Sequence, residues 1–277
     1  MKKVGLALSG GGARGLAHVG VIKVLVENKI PIDYIAGTSI GAFVGGIYAA
    51  TKDVTILEEI TLNNNWKEIF NLFFDPGFKG GFITGKKVIA LIEKYAGQIT
   101  FEELKIPFTA VATDFNSGQA VEINKGNLAQ AIRASVAVPL FFQPVTVNDQ
   151  ILFDGGLTSP YPVETVRKMG AEVVIGVNLY DNYLNKFSPE KIGMIPLLYQ
   201  SLKILIHNLA AKESQKADVN ISPELKKIGW LKLLNQKGSQ EGIDLGIHAT
   251  EKNIKKIQTL LKEKNIFKHL LQFLRIS

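Results

Sequence analysis

The sequence predicts an α/β fold, a three-layer α/β/α sandwich around a largely parallel central sheet. Short apolar runs typical of buried strands alternate with segments of helical periodicity. The first two apolar runs end in glycine-containing turns that lead into helical segments. Hydrophobic residues make up 46% of the 277 residues, enough for a substantial core. We expect a single domain over residues 1–277, with a motif-bearing core at about 3–180 and a basic helical C-terminal part at about 186–277.

The predicted elements begin with a strand at residues 4–8, a helix at 15–28 that ends before Pro31, and a strand at 34–37. Residues 34–51 carry no charge, but their glycines mark a strand, a turn and a helix rather than a membrane span. A buried helix packed closely on the sheet is therefore expected. The remaining strand candidates are residues 108–113, 120–123, 145–153, 172–179 and 218–221.

Three further segments carry predictions of their own. Residues 62–85 interleave aromatic residues with turn formers, which predicts either a mobile lid over an apolar pocket or a surface excursion packed on the body. Residues 192–211 contain one charge, Lys203, and predict either a core helix, which we favour, or an interfacial helix. Residues 254–274 are amphipathic and predict a docked terminal helix.

The composition excludes several classes of site and partner. The absence of cysteine rules out disulfides, thiolate metal sites and cysteine nucleophiles, and it fits an intracellular location. The first apolar run is too short for a signal-peptide core, so a cytoplasmic protein is expected.

Residues 186–277 hold 16 Lys and Arg against 8 Asp and Glu, whereas residues 1–185 hold 16 against 17. The basic part predicts solvated helix faces or contact with an anionic membrane, and no nucleic-acid motif accompanies it.

The pentapeptide Gly37-Thr38-Ser39-Ile40-Gly41 has the G-x-S-x-G pattern of a nucleophile elbow. A strand that turns sharply into a helix holds the central serine in a strained conformation, and only glycine avoids a clash at the flanking positions. The helix N-terminus then favours the negative charge that develops during acyl transfer. This pattern nominates Ser39 as a nucleophile.

A glycine-rich loop, Ser-Gly-Gly-Gly-Ala-Arg-Gly at residues 9–15, follows the first strand. The N–H groups of Gly10, Gly11 and Gly12 can converge there on an anion. The spacing also matches the dinucleotide fingerprint, whose ribose-binding acid would have to end the second strand. That strand runs into Ser39 instead, so a tetrahedral oxyanion is the favoured ligand.

The base that would activate Ser39 is either a histidine or a carboxylate. His207, His248 and His269 follow Asp154 in the order of an α/β-hydrolase triad, but each has a context typical of a packing or surface residue. Asp154 ends a strand and precedes two glycines, which predicts a carboxylate at the carboxyl edge of the sheet, where ligands bind. The residues alone leave a triad and a carboxylate base open.

Four segments together resemble the bacterial patatin-like phospholipases. They are Gly-Gly-Gly-Ala-Arg-Gly at 10–15, Gly-Thr-Ser-Ile-Gly at 37–41, Ala-Ser-Val-Ala-Val-Pro at 134–139 and Asp-Gly-Gly at 154–156. They stand in the family's order and cover about residues 3–180. The resemblance implies a patatin-like fold and a Ser–Asp dyad without histidine, in which Ser39 attacks an ester carbonyl and Asp154 takes its proton.

The resemblance also implies the rest of the site and its substrates. The amides of Gly10, Gly11 and Gly12, helped by Arg14, would hold the oxyanion, with no metal or cofactor. The substrates would be phospholipids or lysophospholipids, cleaved at the anionic inner surface of a membrane by a protein in peripheral contact with it. An acyltransferase would use the same acyl-enzyme with another acceptor, and a non-catalytic lipid-binding regulator would not need Ser39.

Overall fold

A mixed eight-stranded sheet forms the centre of the protein. The structure is a computed structural model that describes residues 2–63, 83–139, 141–147, 149–181, 184, 193–225 and 236–273. Within these ranges the strands are β1 (Val4–Leu8), β2 (Tyr34–Thr38), β3 (Phe108–Asp114), β4 (Ala120–Ile123), β5 (Val145–Val147), β6 (Gln150–Asp154), β7 (Val173–Val177) and β8 (Val219–Ile221). The sheet order is β5-β6-β3-β2-β1-β7-β8, with β4 paired to β3 off this path. The neighbours β3, β2, β1, β7 and β8 all run parallel.

Helices surround this sheet. In the described residues they are α1 (Leu16–Glu27), α2 (Ile40–Thr51), α3 (Val54–Glu58), α4 (Lys86–Ala96), α5 (Leu128–Ser135), α6 (Val163–Lys168), α7 (Met194–Ser214) and α8 (Gln236–Phe273). Single 3₁₀ turns cover Gly12–Gly15, Phe101–Glu103 and Gly155–Leu157, and a π turn covers Glu59–Asn63. A sheet flanked by helices confirms the predicted α/β class.

Alternation along β1 separates the two faces of the sheet. Leu6 and Leu8 belong to the larger hydrophobic cluster, whereas Ala7 belongs to a smaller cluster on the other face. On that second face a β-carbon at Gly5 would lie 2.7 Å from Cγ2 of Val166 in α6. Small residues on one face of β1 therefore let α6 approach the sheet closely.

The charge-free stretch at residues 34–51 forms β2 and a buried helix, as predicted. Every residue of α2 from Ile40 to Ala50 is buried. A β-carbon at Gly46 would lie 2.6 Å from Cδ1 of Ile132, so this glycine lets α5 pack against α2. In the described part of the chain, no helix has both the length and the apolarity needed to cross a bilayer.

The single strand predicted over residues 145–153 is wrong, because this segment forms the hairpin of β5 and β6. The two strands pair antiparallel, with Val147 opposite Gln150. Asp149 takes a left-handed conformation with φ 63°, which aspartate tolerates better than most residues. The apolar residues on both sides of this two-residue turn concealed it in the sequence.

The C-terminal helix α8 packs on α1 at positions with small residues. A β-carbon at Gly20 would overlap the carbonyl oxygen of Ile243, and one at Gly246 would overlap that of Ala17. Ile257 is fully buried in the larger core cluster. The docked helix predicted near the C-terminus is therefore present. The lid predicted at 62–85 lies mostly outside the described residues.

Helix α7 contradicts the core position that we favoured for residues 192–211. Ala210, near its C-terminal end, is buried in the smaller cluster. Over the N-terminal half, however, Met194, Leu198 and Leu205 are all exposed. The periodicity predicted the helix correctly, but its apolar side faces away from the sheet.

Candidate active site

Ser39 occupies the sharp turn between β2 and α2. Its backbone has φ 54° and ψ −123°, a strained conformation for a residue with a side chain, and such strain costs about 1–3 kcal/mol. A β-carbon at Gly41 would overlap the carbonyl oxygen of Leu8 and lie 2.6 Å from that of Ser9. One at Gly37 would lie 2.6 Å from the amide nitrogen of Ala42. The elbow conformation and its need for flanking glycines are thus present as predicted.

Asp154 reaches Ser39 because β2 and β6 share one edge of β3. β2 pairs with residues 108–111 of β3, and β6 pairs with residues 112–114. β4 pairs with residues 110–113 of β3, which overlap the part paired with β2 and the part paired with β6. β4 must therefore lie along the opposite edge of β3 from both of these strands. β2 and β6 therefore meet end to end, with Thr38 opposite Val111 and Asp154 opposite Ala112. The prediction placed Asp154 at the carboxyl edge of parallel strands, whereas an antiparallel strand delivers it.

The Ser39 and Asp154 side chains are joined by a short hydrogen bond. The Ser39 hydroxyl donates to Oδ2 of Asp154 at 2.6 Å. The Gly156 N–H donates to Oδ1 at 2.7 Å, which holds the carboxylate from its other side. The Asp154 N–H donates to the carbonyl of Ala137 at 3.0 Å, and the Thr113 hydroxyl donates to the Asp154 carbonyl at 2.9 Å. Both side-chain and backbone contacts therefore fix the carboxylate beside the hydroxyl.

Burial makes Asp154 a stronger base than an ordinary aspartate. Ser39 is 8% exposed and Asp154 is 6% exposed. Desolvation raises the pKa of Asp154 from 3.8 to about 6, although the hydrogen bonds from Ser39 and Gly156 act in the opposite direction. The carboxyl is still mostly ionised at neutral pH, and its higher pKa suits proton transfer there. The pair can therefore activate the hydroxyl as a nucleophile.

Ser135 supports the elbow from the end of α5. Its hydroxyl accepts a hydrogen bond from the Ser39 N–H at 2.9 Å and donates to the Val111 carbonyl at 2.6 Å. This fully buried side chain thus ties the elbow to β3. No pattern in the sequence predicts this role for Ser135, although the residue lies in the 134–139 segment, one of the four that carry the resemblance.

The glycine loop presents fewer amides than predicted. The Gly10 N–H donates to the Pro160 carbonyl at 2.9 Å, so it is already paired. Within the described residues, the N–H groups of Gly11 and Gly12 have no acceptor, and Gly12 is exposed in a left-handed conformation with φ 60°. Of the three amides predicted to hold an oxyanion, those of Gly11 and Gly12 are therefore the ones left open to a ligand among the described contacts, and the role of the loop stays a prediction.

Arg14 braces this loop against the chain that follows β7. Its Nη1 donates to the carbonyl of Leu179 at 3.2 Å, and its backbone N–H donates to the carbonyl of Gly11 at 3.3 Å. These bonds fix the loop conformation that aims the neighbouring amides. Arg14 therefore holds the loop through both its side chain and its backbone, and its role beside an oxyanion stays a prediction.

The described contacts of the histidines do not build a triad. Nδ1 of His207 lies 3.0 Å from the Tyr180 carbonyl, and Nε2 of the buried His18 lies 2.8 Å from the carbonyl of Ser9. Burial lowers the pKa of His18 to about 4, so it is neutral at physiological pH. His248 and His269 both lie on α8. Among the described side chains, no hydrogen bond joins a histidine to Ser39 or Asp154.

Known proteins resemble this chain in both sequence and structure. A family model described as patatin-like phospholipase matches residues 6–167. An uncharacterized NTE family protein of Mycobacterium bovis is 39% identical over 184 residues, which is 64% of this chain and 49% of that protein. A lysophospholipase nte1 of Neurospora crassa is 31% identical over 198 residues, which is 69% of this chain and 13% of that protein. The solved structure of VipD from Legionella pneumophila aligns with a TM-score of 0.48 and 14% identity, covering 88% of this chain and 66% of VipD. The chain thus spans half or less of the length of these two curated relatives.

Proposed function

Because the chain belongs to the patatin-like phospholipase family, we propose that it is a serine lipid acyl hydrolase that cleaves fatty acyl esters of phospholipids or lysophospholipids. The observation that carries this proposal is the 2.6 Å hydrogen bond from the Ser39 hydroxyl to the Asp154 carboxylate. A fungal relative that bears the name lysophospholipase supports lysophospholipids as substrates. Ser39 and Asp154 are the proposed catalytic dyad.

In the first half-reaction Oγ of Ser39 attacks the acyl carbonyl carbon while its proton passes to Oδ2 of Asp154. The carbonyl electron pair moves onto oxygen, and the amides of Gly11 and Gly12 stabilise that oxyanion. The N–H of Ile40, in the first turn of α2, has no acceptor within the helix and lies beside the nucleophile. Each such donor is worth about 10²–10³ in rate.

The first half-reaction ends when the tetrahedral intermediate collapses: the bond to the alcohol oxygen breaks, and that oxygen takes the proton from Asp154. In the second half-reaction water resolves the acyl-enzyme that remains. The same carboxylate then accepts a proton from water as its oxygen attacks the acyl carbon. The second tetrahedral intermediate then collapses: the bond between the acyl carbon and Oγ of Ser39 breaks, Oγ takes the proton from Asp154, and the fatty acid leaves. One carboxylate thus serves as base and acid in turn.

Substrates of this class reside in membranes, so the proposal includes peripheral contact with an anionic bilayer at its cytoplasmic surface. The observation that supports this contact is the uneven charge of the chain, because residues 186–277 hold 16 Lys and Arg against 8 Asp and Glu. Basic segments are attracted to the negative potential of anionic lipid headgroups.

The wild-type protein should release free fatty acid from lysophospholipid or phospholipid dispersions, and Ser39→Ala should abolish this release. Chromatography of the products measures free fatty acid against any acyl ester formed with an added alcohol. Free acid as the main product supports hydrolysis, whereas acyl transfer to the alcohol as the main reaction supports an acyltransferase. A Ser39→Ala protein that is folded and fully active would exclude the dyad.

The role of the glycine loop in hydrolysis can be tested with one substitution that creates a steric clash and a second that relieves it. A β-carbon at Gly10 would overlap the Tyr180 hydroxyl, so Gly10→Ala should displace the loop and slow hydrolysis by about 10²-fold. Removing that hydroxyl with Tyr180→Phe in the same chain leaves the nearest ring carbon 3.4 Å away and should restore part of the rate. Turnover of a water-soluble p-nitrophenyl ester is measured for both single variants and the double variant. A double variant no faster than Gly10→Ala would contradict this role of the loop.

A further inference from the structure

The N-terminal half of α7 presents large apolar side chains to solvent. Of the exposed large hydrophobic residues in the described part of the protein, six lie on this helix: Met194, Leu197, Leu198, Tyr199, Ile204 and Leu205. Met194 is 75% exposed and Leu205 is 62% exposed. Helices on the surface of a soluble domain normally turn such side chains toward the core, and a contiguous exposed set marks an interaction site.

Five of these residues lie on one side of the helix, which we call the outer face of α7, with the exposed Ser201 among them. At about 100° per residue they fall within an arc of about 120°, the width of the apolar side of an amphipathic helix. The outer face consists of Met194, Leu197, Leu198, Ile204 and Leu205. The exposed apolar residues of the helix thus lie on the side away from the protein.

The opposite side of α7 attaches the helix to the body. Ala210 is fully buried, and Nδ1 of His207 lies 3.0 Å from the carbonyl of Tyr180. The Lys203 ammonium lies 4.9 Å from the ring centre of Tyr199 on this same side. Ile206 also packs against the smaller hydrophobic cluster on this side. Because these contacts hold one side of the helix on the protein, the outward direction of the exposed apolar residues is set by the fold.

The attached side also joins α7 to the glycine loop. The ring hydroxyl of Tyr180, whose carbonyl contacts His207, fills the space that a β-carbon at Gly10 would occupy. A β-carbon at Gly10 would also lie 3.3 Å from Cβ of Ser39. The outer face is therefore carried by a helix that borders the site of Ser39.

The charges of this segment select the kind of surface that would cover the outer face. Between Glu190 and Glu213 the chain has no acidic residue, but it has Lys191, Lys203 and Lys212. Lys203 lies on the attached side, whereas the exposed Lys212 falls within the arc of the outer face, two turns after Leu205. A helix with exposed apolar residues, a lysine in line with them and no acidic residue suits the headgroup region of an anionic bilayer. An acidic residue within the outer face would oppose such contact, and none is present.

We propose that the outer face of α7 inserts into the surface of an anionic bilayer and holds the glycine loop against the lipid. The inference rests on the proposed lipid hydrolysis for its purpose, but it concerns binding and can be measured without turnover. Apolar insertion supplies the attachment, and the lysines add a contribution that falls with ionic strength.

The test compares Leu198→Glu/Leu205→Glu with a control that carries the same charge change elsewhere, Val26→Glu/Phe115→Glu. Both control positions are exposed apolar residues outside α7. Sedimentation with vesicles of phosphatidylcholine, with and without phosphatidylglycerol, measures binding at low and high salt. The α7 variant should lose about tenfold or more in affinity for the anionic vesicles, because even one buried leucine is worth that factor. The control variant should bind like wild type.

A water-soluble p-nitrophenyl ester and Ser39→Ala separate this inference from the proposed function. The α7 variant should keep the wild-type rate on the soluble ester, and Ser39→Ala should bind vesicles like wild type. Vesicle binding that depends on α7, without any lipid hydrolysis, would support the membrane contact and contradict the proposed function. Three results would overturn the proposal for the outer face. They are no binding of wild type to anionic vesicles, binding of the α7 variant as tight as that of wild type, or a wild-type dimer that is lost in the α7 variant.

Discussion

Asp154→Asn is expected to reduce ester hydrolysis by about 10³–10⁴-fold or more while leaving the fold intact. Asparagine preserves the size of the side chain and can still pair with the Ser39 hydroxyl and the Gly156 amide, but it cannot take the serine proton. The wild-type kcat/KM should also rise with pH through a midpoint near 6, since the pKa of the buried Asp154 carboxyl is raised to about 6 and only its ionised form is a base. Steady-state rates on a soluble ester across this pH range measure both effects.

Asp114 provides a matched control for this variant. It is also a buried aspartate at the end of a strand, but its carboxylate accepts hydrogen bonds from the N–H groups of Asn116 and Ser117. Asp114→Asn should therefore retain the wild-type rate. If Asp154→Asn kept full activity and His207→Ala lost it, catalysis would depend on a histidine and not on the Ser39–Asp154 dyad.

Asp154→Asn should also stabilise the protein against unfolding at neutral and alkaline pH. Because the pKa of Asp154 is raised from 3.8 to about 6, the native state keeps a proton in this range that the unfolded chain has lost. The free energy of unfolding of wild type therefore falls as pH rises from about 3.8 to 6, by about 3 kcal/mol in all. Asparagine has no such dependence.

Urea unfolding of wild type and Asp154→Asn at matched pH values measures this difference. The pKa of the buried His18 is lowered, which gives the opposite trend as pH falls toward 4, but both proteins carry His18 and its contribution cancels. The stability advantage of the variant should be small at pH 4 and large at pH 8. An advantage that does not vary with pH would mean that Asp154 is not desolvated in solution.

The second large effect is expected for Gly41→Ala, which should destabilise the fold by about 3 kcal/mol or more. Its β-carbon would overlap the carbonyl oxygen of Leu8 and lie 2.6 Å from that of Ser9. Both are backbone atoms at the end of a central strand, so no side chain can rotate to make room. Thermal unfolding measures the loss, and the soluble fraction on expression provides a second reading.

Gly193→Ala is the matched glycine control. Its backbone has an ordinary φ of −83°, and a β-carbon there would lie 3.6 Å from Cδ of Pro196, a normal contact. Its cost should stay within about 1 kcal/mol. Equal stability of the Gly41 and Gly193 variants would show that the helix of the elbow can move away from β1, contrary to the close packing described above.

The local parts of the candidate site were predictable because backbone geometry restricts the residues that can form them. The glycines on either side of Ser39 stand where a β-carbon would strike β1 or the first turn of α2. The glycine loop after β1 was predictable for a similar reason, since Gly12 takes a positive φ. Such motifs can be recognised because the positions that require glycine lie within a few residues of one another in the sequence, even where the atoms that exclude a side chain belong to a distant strand.

Features that depend on long-range pairing were not predictable in the same way. Nothing near Gly10 in the sequence shows that its N–H bonds to Pro160, or that Ser135 supports the elbow. Helical periodicity predicted α7 but not which side of it would contact the sheet. A pattern specifies an apolar stripe, and only the packing of the whole chain decides whether that stripe faces inward.

The end-to-end meeting of β2 and β6 has a consequence for the order of folding. Ser39 and Asp154 are separated by 115 residues, and both must be in register on β3 before their side chains can meet. Closing so long a loop costs entropy that local contacts do not recover. A chain that has formed only α1, α2 and the elbow therefore lacks the contact between Ser39 and Asp154, and the proposed dyad is complete only once the hairpin of β5 and β6 has paired with β3.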